Sequence, residues 1–334
     1  MLEGFQEKYI NPFTDYGFKR LFGEEYNKEL LLGFLNELLK DQQGPIEQIT
    51  YLKSEQLGAG VLDRRAVFDL YCESESGEKF IVEIQKSKQK FFKDRTVYYS
   101  TFPIRDQAKQ GEWNYQLKAV YTVAILDFVF DEDKAESAKF RYDVKLSDIE
   151  THKVFYDKLT FIYLEMPKFQ KTADECKTLF EKWLYVLKNL HRLDRIPERF
   201  RERIFKKLFA AAEIARFTPA EAMQYEDSLK YFRDLKNSFD TAKEEGEAEG
   251  EAKGEAKGEA KKGREIAANM LAIDIPDSVI QKVTGLTLAD IHDLKLRAPY
   301  GTLSPHRSGN PGGSVSGGPA PRATTPRKSK KRKT

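Results

Sequence analysis

The sequence predicts an α/β domain, a β-sheet flanked by helices, followed by a helical C-terminal region. Three observations predict it. Apolar runs of strand length recur at 46–57, 65–86, 117–128, 140–146 and 159–166. Helical spacing of apolar residues occupies the stretch up to residue 40, the segment 90–110, and much of 174–297. With 334 residues, 40% hydrophobic and 33% charged, the chain can bury one sizeable core and still carry a wet periphery with appendages.

The elements follow in order. Thr14 and Asp15 open a short helix with Phe18, Leu21 and Phe22 facing inward. NKELLLGFLNELLK comes next, with Asn27 as its N-cap and Leu30, Leu31, Phe34, Leu35 and Leu38 at helical spacing. Gly44-Pro45 ends that region. Segment 46–57 is expected to be a strand and 65–86 a hairpin. Residues 90–110 read as helix, kinked or broken by Pro103. LKAVYTVAILDF, 117–128, is apolar enough for a central strand, and Gln107, Gly111 and Tyr115 are expected to shape the turn into it. DEDKAESA is a solvated loop, FRYDVKL and LTFIYLEM are further strands, and Pro167 closes the sheet region. In DECKTLFEKWLYVLKNL a stripe of Leu179, Phe180, Trp183, Leu187 and Leu190 reads as core. IFKKLFAAAEIARF and PAEAMQYEDSLKYFRDLKN read as two more helices.

Residues 246–263 repeat a four-residue unit with glycine at 246, 250, 254 and 258. Each interior glycine costs a helix roughly 1 kcal/mol against alanine, partly offset by Glu–Lys pairs one turn apart. A helix is favoured over an extended spacer, and it would align small residues for packing against a partner. REIAANMLAIDI and DSVIQKVTGLTLADIHDLK then give a helix, a second helix, a TGL turn and a third. That layout suits a small helical hairpin and also a DNA-reading helix-turn-helix. Residues 301–334 are rich in Gly, Pro and Ser and end in PRKSKKRKT, which is expected to be disordered. This cluster reads as a phosphate contact, a nuclear-import signal or a solvated tail. The expected domains are 1–170 for the α/β part, 171–240 helical, 241–263 spacer or helix, 264–297 a small helical unit, and 298–334 the tail.

Several function classes are excluded at this level. The net charge is only +3, so any nucleic-acid signal must be local. Cys72 and Cys176 form no disulfide framework, and a reducing compartment is expected. His152, His191, His292 and His306 are scattered without ligand spacing, which argues against zinc. No 18-residue apolar run exists, so no membrane partner is expected, and the N-terminal stretch lacks the form of a signal peptide.

The informative stretch is FDLYCESESGEKFIVEIQ, residues 68–85. Glu75-Ser76-Gly77 suits a three-residue hairpin loop with Gly77 left-handed. Ser74 then faces Glu78, and the same register sets Asp69 opposite Glu83, with Gln85 on the same face. Phe68, Leu70 and Cys72 against Phe80, Val82 and Ile84 form the core face, and Val67, Tyr71 and Ile81 share the acidic one. Opposed like charges destabilise a strand pair, and burial sharpens the cost. A divalent cation such as Mg²⁺ would reverse the sign. A half-solvated face neutralised by Lys or Arg is the alternative, and local pattern leaves both open.

FDLYCESESGEKFIVEIQ resembles the Asp-x(n)-Glu-x-Gln core of the PD-(D/E)XK nuclease superfamily, and more narrowly the recombination-promoting nuclease and transposase family. NPFTDYGFKRLFG with LLGFLNELL resembles that family's opening. DRTVYYSTFPIRDQAKQGEWNYQLKAVYTVAILDF resembles its Arg/Tyr helix, Gln-x(3)-Gly-x(3)-Tyr segment and next strand. The glycine-punctuated repeat and the IxxxTGLxxxxI ending are similar to its C-terminal part, so the likeness covers roughly residues 8–297.

The resemblance implies a restriction-endonuclease-like mixed sheet flanked by helices, and Mg²⁺-dependent hydrolysis of DNA phosphodiester bonds in recombination or mobile elements. Carried over by position, it implies Asp69, Glu83 and Gln85 as catalytic residues. Asp69, Glu83 and the Ile84 carbonyl become metal ligands, and Asp15 a candidate outer acid. Gln85 stands where the superfamily carries lysine, and if the strand continues, Lys86 and Lys88 point to the opposite face. Lys90, Lys93, Arg95 and Tyr99 are candidate DNA contacts, with Arg95 near the site and Tyr99 largely structural. DNA is the implied partner, and the C-terminal unit is a candidate for homodimerisation or DNA reading. The expected location is the cytoplasm or nucleoid, or the nucleus if the basic tail serves a eukaryotic host. Two rivals stand beside this reading: a catalytically silent DNA-binding or interaction protein retaining the fold, and an assembly scaffold built on the glycine repeat.

Overall fold

A computed structural model of the chain describes residues 7–56, 66–108, 114–136 and 138–297. The chain divides into two compact units, 1–247 and 248–334. The first opens with α1 (Asp15–Phe22) and α2 (Lys28–Leu39). Strands β1 (Ile49–Tyr51), β2 (Glu55–Gln56), β3 (Ala66–Val67), β4 (Leu70–Ser74) and β5 (Lys79–Gln85) follow. Helix α3 (Phe92–Arg105) leads to β6 (Val120–Leu126), β7 (Arg141–Ser147) and β8 (Val154–Glu165). Helices α4 (Leu179–Asn189), α5 (Arg203–Ala212) and the start of α6 (Pro219–Ala272) complete it.

Six strands form one mixed sheet in the order β1-β4-β5-β6-β8-β7, and β2 pairs with β3 apart from it. Strands β5, β6 and β8 run parallel, and the remaining pairs are antiparallel. Strand β6 is central and buried at every position, as its unbroken apolar run demands. Alternation then sorts the side chains. Phe80, Val82 and Ile84 of β5, with Tyr121, Val123 and Ile125 of β6, join the main core shared with α1, α2, α4, α5 and α6. Ile81 of β5 and Ala124 and Leu126 of β6 face the other way, in clusters that include Phe92 and Phe102 of α3. Trp183 is the largest core side chain and packs against Phe22, Phe34 and Phe205.

The chain opening is built by backbone capture. The Thr14 side chain caps α1 by accepting from Gly17 N–H, and Asn11 Oδ1 accepts from Phe13 N–H. A Cβ on Gly17 would lie 2.2 Å from Asn11 O, so only glycine fits there. Tyr225 of α6 accepts a hydrogen bond from Asn11 N–H at 2.9 Å.

Several expectations need correction. The strand expected over 46–57 is reduced to two short pieces, β1 and β2. Phe68 does not join the main core but packs with Tyr71, Ile81 and Phe102, because a bend at Asp69 resets the alternation. Asn27 caps α2 by position alone, its side chain donating instead to Arg20 O. The stretch IFKKLFAAAEIARF breaks after Ala212, where Glu213 turns extended and bridges Tyr9. Leu179 is 37% exposed and leaves the α4 stripe. Pro103 lies within α3, close to its end, without interrupting it. Gln107 Oε1 accepts from Lys118 N–H at 2.7 Å and Tyr115 takes a positive φ of 59° before β6, while Gly111 lies outside the described residues.

The second unit contains the end of α6, α7 (Asp277–Thr284) and α8 (Leu288–Arg297). Ala267, Ile280 and Ile291 form its small core, and left-handed Gly285 (φ 69°) stops α7. The glycine repeat is helical, within α6, and Gly246, Gly250, Gly254 and Gly258 meet nothing within 4 Å. The tail from residue 298 lies outside the described residues. Among the described residues, no helix is long and apolar enough to cross a membrane.

Candidate active site

The register expected from the Gly77 turn holds: Leu70 pairs with Val82, Tyr71 with Ile81, Cys72 with Phe80 and Glu73 with Lys79. Gly77 is left-handed at φ 94°, and Ser74 N–H bonds Glu78 O. The ladder stops at Leu70 because Phe68 N–H turns away to Ser54 O. Asp69 and Glu83 carry the pairing one step further through side chains. Ile84 N–H donates to Asp69 Oδ2 at 2.7 Å, and Asp69 N–H donates to Glu83 Oε1 at 3.1 Å. Glu83 is 5% and Gln85 9% exposed, while Asp69 is half-buried. The N–H and C=O of one strand residue point to the same side. The Ile84 carbonyl is therefore turned toward Asp69.

Burial raises the pKa of both carboxyl groups, and their mutual proximity adds to it. Glu83 is pushed up to about 8, first by burial and then by the Asp69 charge, with Arg95 opposing. Asp69 is raised by burial, held back by the Ile84 N–H, and raised again by the charge of Asp15. Asp15 itself sits at the exposed start of α1, paired with Lys19 at 3.0 Å, so it shares the field of Asp69 without joining the buried pair.

Arg95 is brought over this pair by α3. Its Nη2 donates to Gln85 Oε1 at 2.6 Å and lies 3.8 Å from Glu83 Oε2. A second bond from Nη1 reaches Gln89. The guanidinium stacks over Phe92 at 4.8 Å and Tyr99 at 5.6 Å. Gln85 Nε2 donates to Ser87 O at 2.9 Å, so both ends of that amide are oriented. The residues of this bonding pattern that sequence reasoning missed are Gln89, Ser87 and the Ile84 amide. Two act through backbone atoms that carry no side-chain signal, and nothing in the spacing of Gln89 from Arg95 marks it.

The other candidates scatter. Tyr99 packs edge-on against Phe68 at 5.1 Å. Lys93 is turned to Glu132 and the Phe130 ring, away from the acids. Lys90 lines an open cleft of about 480 Å³ with Phe91, Arg95, Tyr98 and Tyr99. The β5 strand ends at Gln85, and Lys86 lies over Tyr231 and Phe232 of α6, although the charges of Asp15 and Asp69 still reach it. Lys88 pairs with Asp131.

The donor set suits a hard cation. Buried Glu83 and half-buried Asp69 each keep an oxygen not bonded to backbone, and strand geometry turns the Ile84 carbonyl to the Asp69 side. Among the described residues no three His, Cys, Asp or Glu side chains gather in metal-binding geometry. Side chains would thus supply two ligands, a number Mg²⁺ accepts when water and phosphate complete the shell.

Comparison with curated proteins and with solved structures returned no match. A family model described as PD-(D/E)XK nuclease family transposase matches residues 12–242, a span that holds the whole sheet, Asp69, Glu83, Gln85 and Arg95, and the chain belongs to that family.

Proposed function

We propose that this chain is a Mg²⁺-dependent DNA endonuclease acting in recombination or on mobile elements. One observation carries the reading: Asp69 and Glu83 are tied crosswise in a poorly solvated place where each opposes the other's ionisation. Such a pair ionises fully only when a cation offsets the charge; without one, a carboxyl keeps its proton. When bound, the cation supplies Lewis acidity at the scissile phosphate and lowers the pKa of the attacking water. Asp69, Glu83 and the Ile84 carbonyl would hold it. Gln85 keeps one amide hydrogen and one lone pair to orient the water. It supplies no charge, and Arg95, fixed against it, provides the positive field that the superfamily's lysine gives elsewhere. Lys90 and Tyr98 flank the open cleft beside Arg95 and contact the DNA backbone.

Incubation of supercoiled plasmid with the protein, with and without Mg²⁺, tests this. Asp69→Ala and Glu83→Ala should each abolish nicking. Nicking that survives in both variants defeats the site. The rival of a silent DNA-binding protein draws on the uncharged Gln85, and it predicts plasmid retardation without nicking at any Mg²⁺ concentration.

A further inference from the structure

A second cleft, of about 550 Å³, lies between the segments that follow β5 and β6 and the helix α6. Its volume falls in the range of ligand sites, roughly 300–1,000 Å³. Three phenyl rings line it: Phe128, Phe232 and Phe239, the last 44% exposed. Lys86, Lys88, Lys236 and Lys243 contribute four positive charges against the two carboxylates of Asp127 and Asp240. Lys88 is ion-paired with Asp131 and Lys243 with Glu247, whereas Lys86 and Lys236 have no ion-pair partner within 4 Å among the described residues. Two further cations lie near, because the charges of Lys188 and Arg192 act on Asp127 together with that of Lys236.

The cleft is joined to the acid pair. Asp127 N–H donates to Gln85 O at 2.9 Å, so its floor is bonded to the strand that carries Glu83. The Lys86 ammonium, on the cleft wall, lies within the field of Asp69.

We infer that this cleft binds an unpaired segment of DNA, a base stacked on the exposed Phe239 ring and its phosphates at the lysines. The inference rests on the nuclease reading and adds to it a substrate class: DNA that is single-stranded on one flank of the cut. A regular duplex offers phosphates but keeps its base faces stacked inside, so it would satisfy the lysines and leave the rings idle. Aromatic faces beside basic side chains are what single strands use.

The test is fluorescence anisotropy on the full chain, in EDTA to prevent cutting, with a labelled oligothymidylate and a duplex of equal length. Phe239→Ala should weaken single-strand binding about 5- to 100-fold and change duplex binding less than about 2-fold. Phe239→Trp should retain it. Lys236→Ala should lower the log–log salt slope for the single strand by about 0.7. No single-strand binding by the wild type, or equal losses on both substrates in Phe239→Ala, overturns the inference. Plasmid nicking run in parallel separates the two claims. Nicking without single-strand binding removes this cleft alone. Ring-dependent single-strand binding without nicking keeps the cleft as a binding site and removes the nuclease.

Discussion

Replacing Glu83 by glutamine should stabilise the metal-free protein above neutral pH while ending nicking. The substitution keeps the shape and the acceptor for Asp69 N–H but deletes one of two opposed charges. In the unfolded chain Glu83 ionises near its ordinary value of 4.5, and in the folded protein it holds its proton to about 8. Between those values the folded state binds more protons than the unfolded one, so stability falls as pH rises. At ~1.4 kcal/mol per unit, the full shift sets an upper bound of roughly 5 kcal/mol. Asp69 and Glu83 titrate as a pair and the site can relax, so we expect about 2–3 kcal/mol. In thermal melts this is a Tm difference of about 4–12 °C between variant and wild type at pH 8.5, shrinking toward zero at pH 5. Comparing the two proteins cancels other carboxyls, such as Asp131, whose pKa is lowered by its lysine partners. Mg²⁺ at pH 8.5 should raise the wild-type Tm and leave Glu83→Gln nearly unmoved. A variant no more stable than wild type at pH 8.5, or a pH-independent difference, would refute the electrostatic argument.

Three further outcomes follow from the same geometry. Arg95→Ala should cut plasmid nicking by about 100-fold, in line with loss of one oriented charge, and Arg95→Lys should recover little, since a single ammonium cannot serve Gln85 and Gln89 together. Gly17→Ala should lower Tm measurably, because its Cβ would meet Asn11 O at 2.2 Å; an unchanged melt would refute the close approach. Ile280→Asp should erase amide-exchange protection in α7 and α8 by placing a charge in their small core, and leave plasmid nicking within about 2-fold.

How much of this was legible in the sequence depended on whether the cause was local. The turn at Gly77 demands one conformation and so sets the hairpin register, and from that register the Asp69–Glu83 encounter follows. Helical spacing found α1, α2 and α4 because each packs one stripe against a single core. Phe68 was misplaced because alternation assumes an unbroken strand, and its N–H is taken by Ser54 from another segment. Glu213 broke a helix for a similar reason: residues 8–10 claim the backbone on either side of it. The Arg95–Gln85 bond joins a helix to a strand end, and no spacing rule reaches across that gap.

The hydrogen bond from Asn11 to Tyr225 has a bearing on synthesis. Residues 69–95 bring the acids and their arginine together, but the far face of the sheet is covered by Trp183, Phe205 and Tyr225. A nascent chain halted before Tyr225 leaves the ribosome tunnel would lack the α6 part of that cover and leave the Asn11 amide without its acceptor. The acid pair and the cover of its sheet thus mature together, at the end of synthesis rather than when residue 95 emerges.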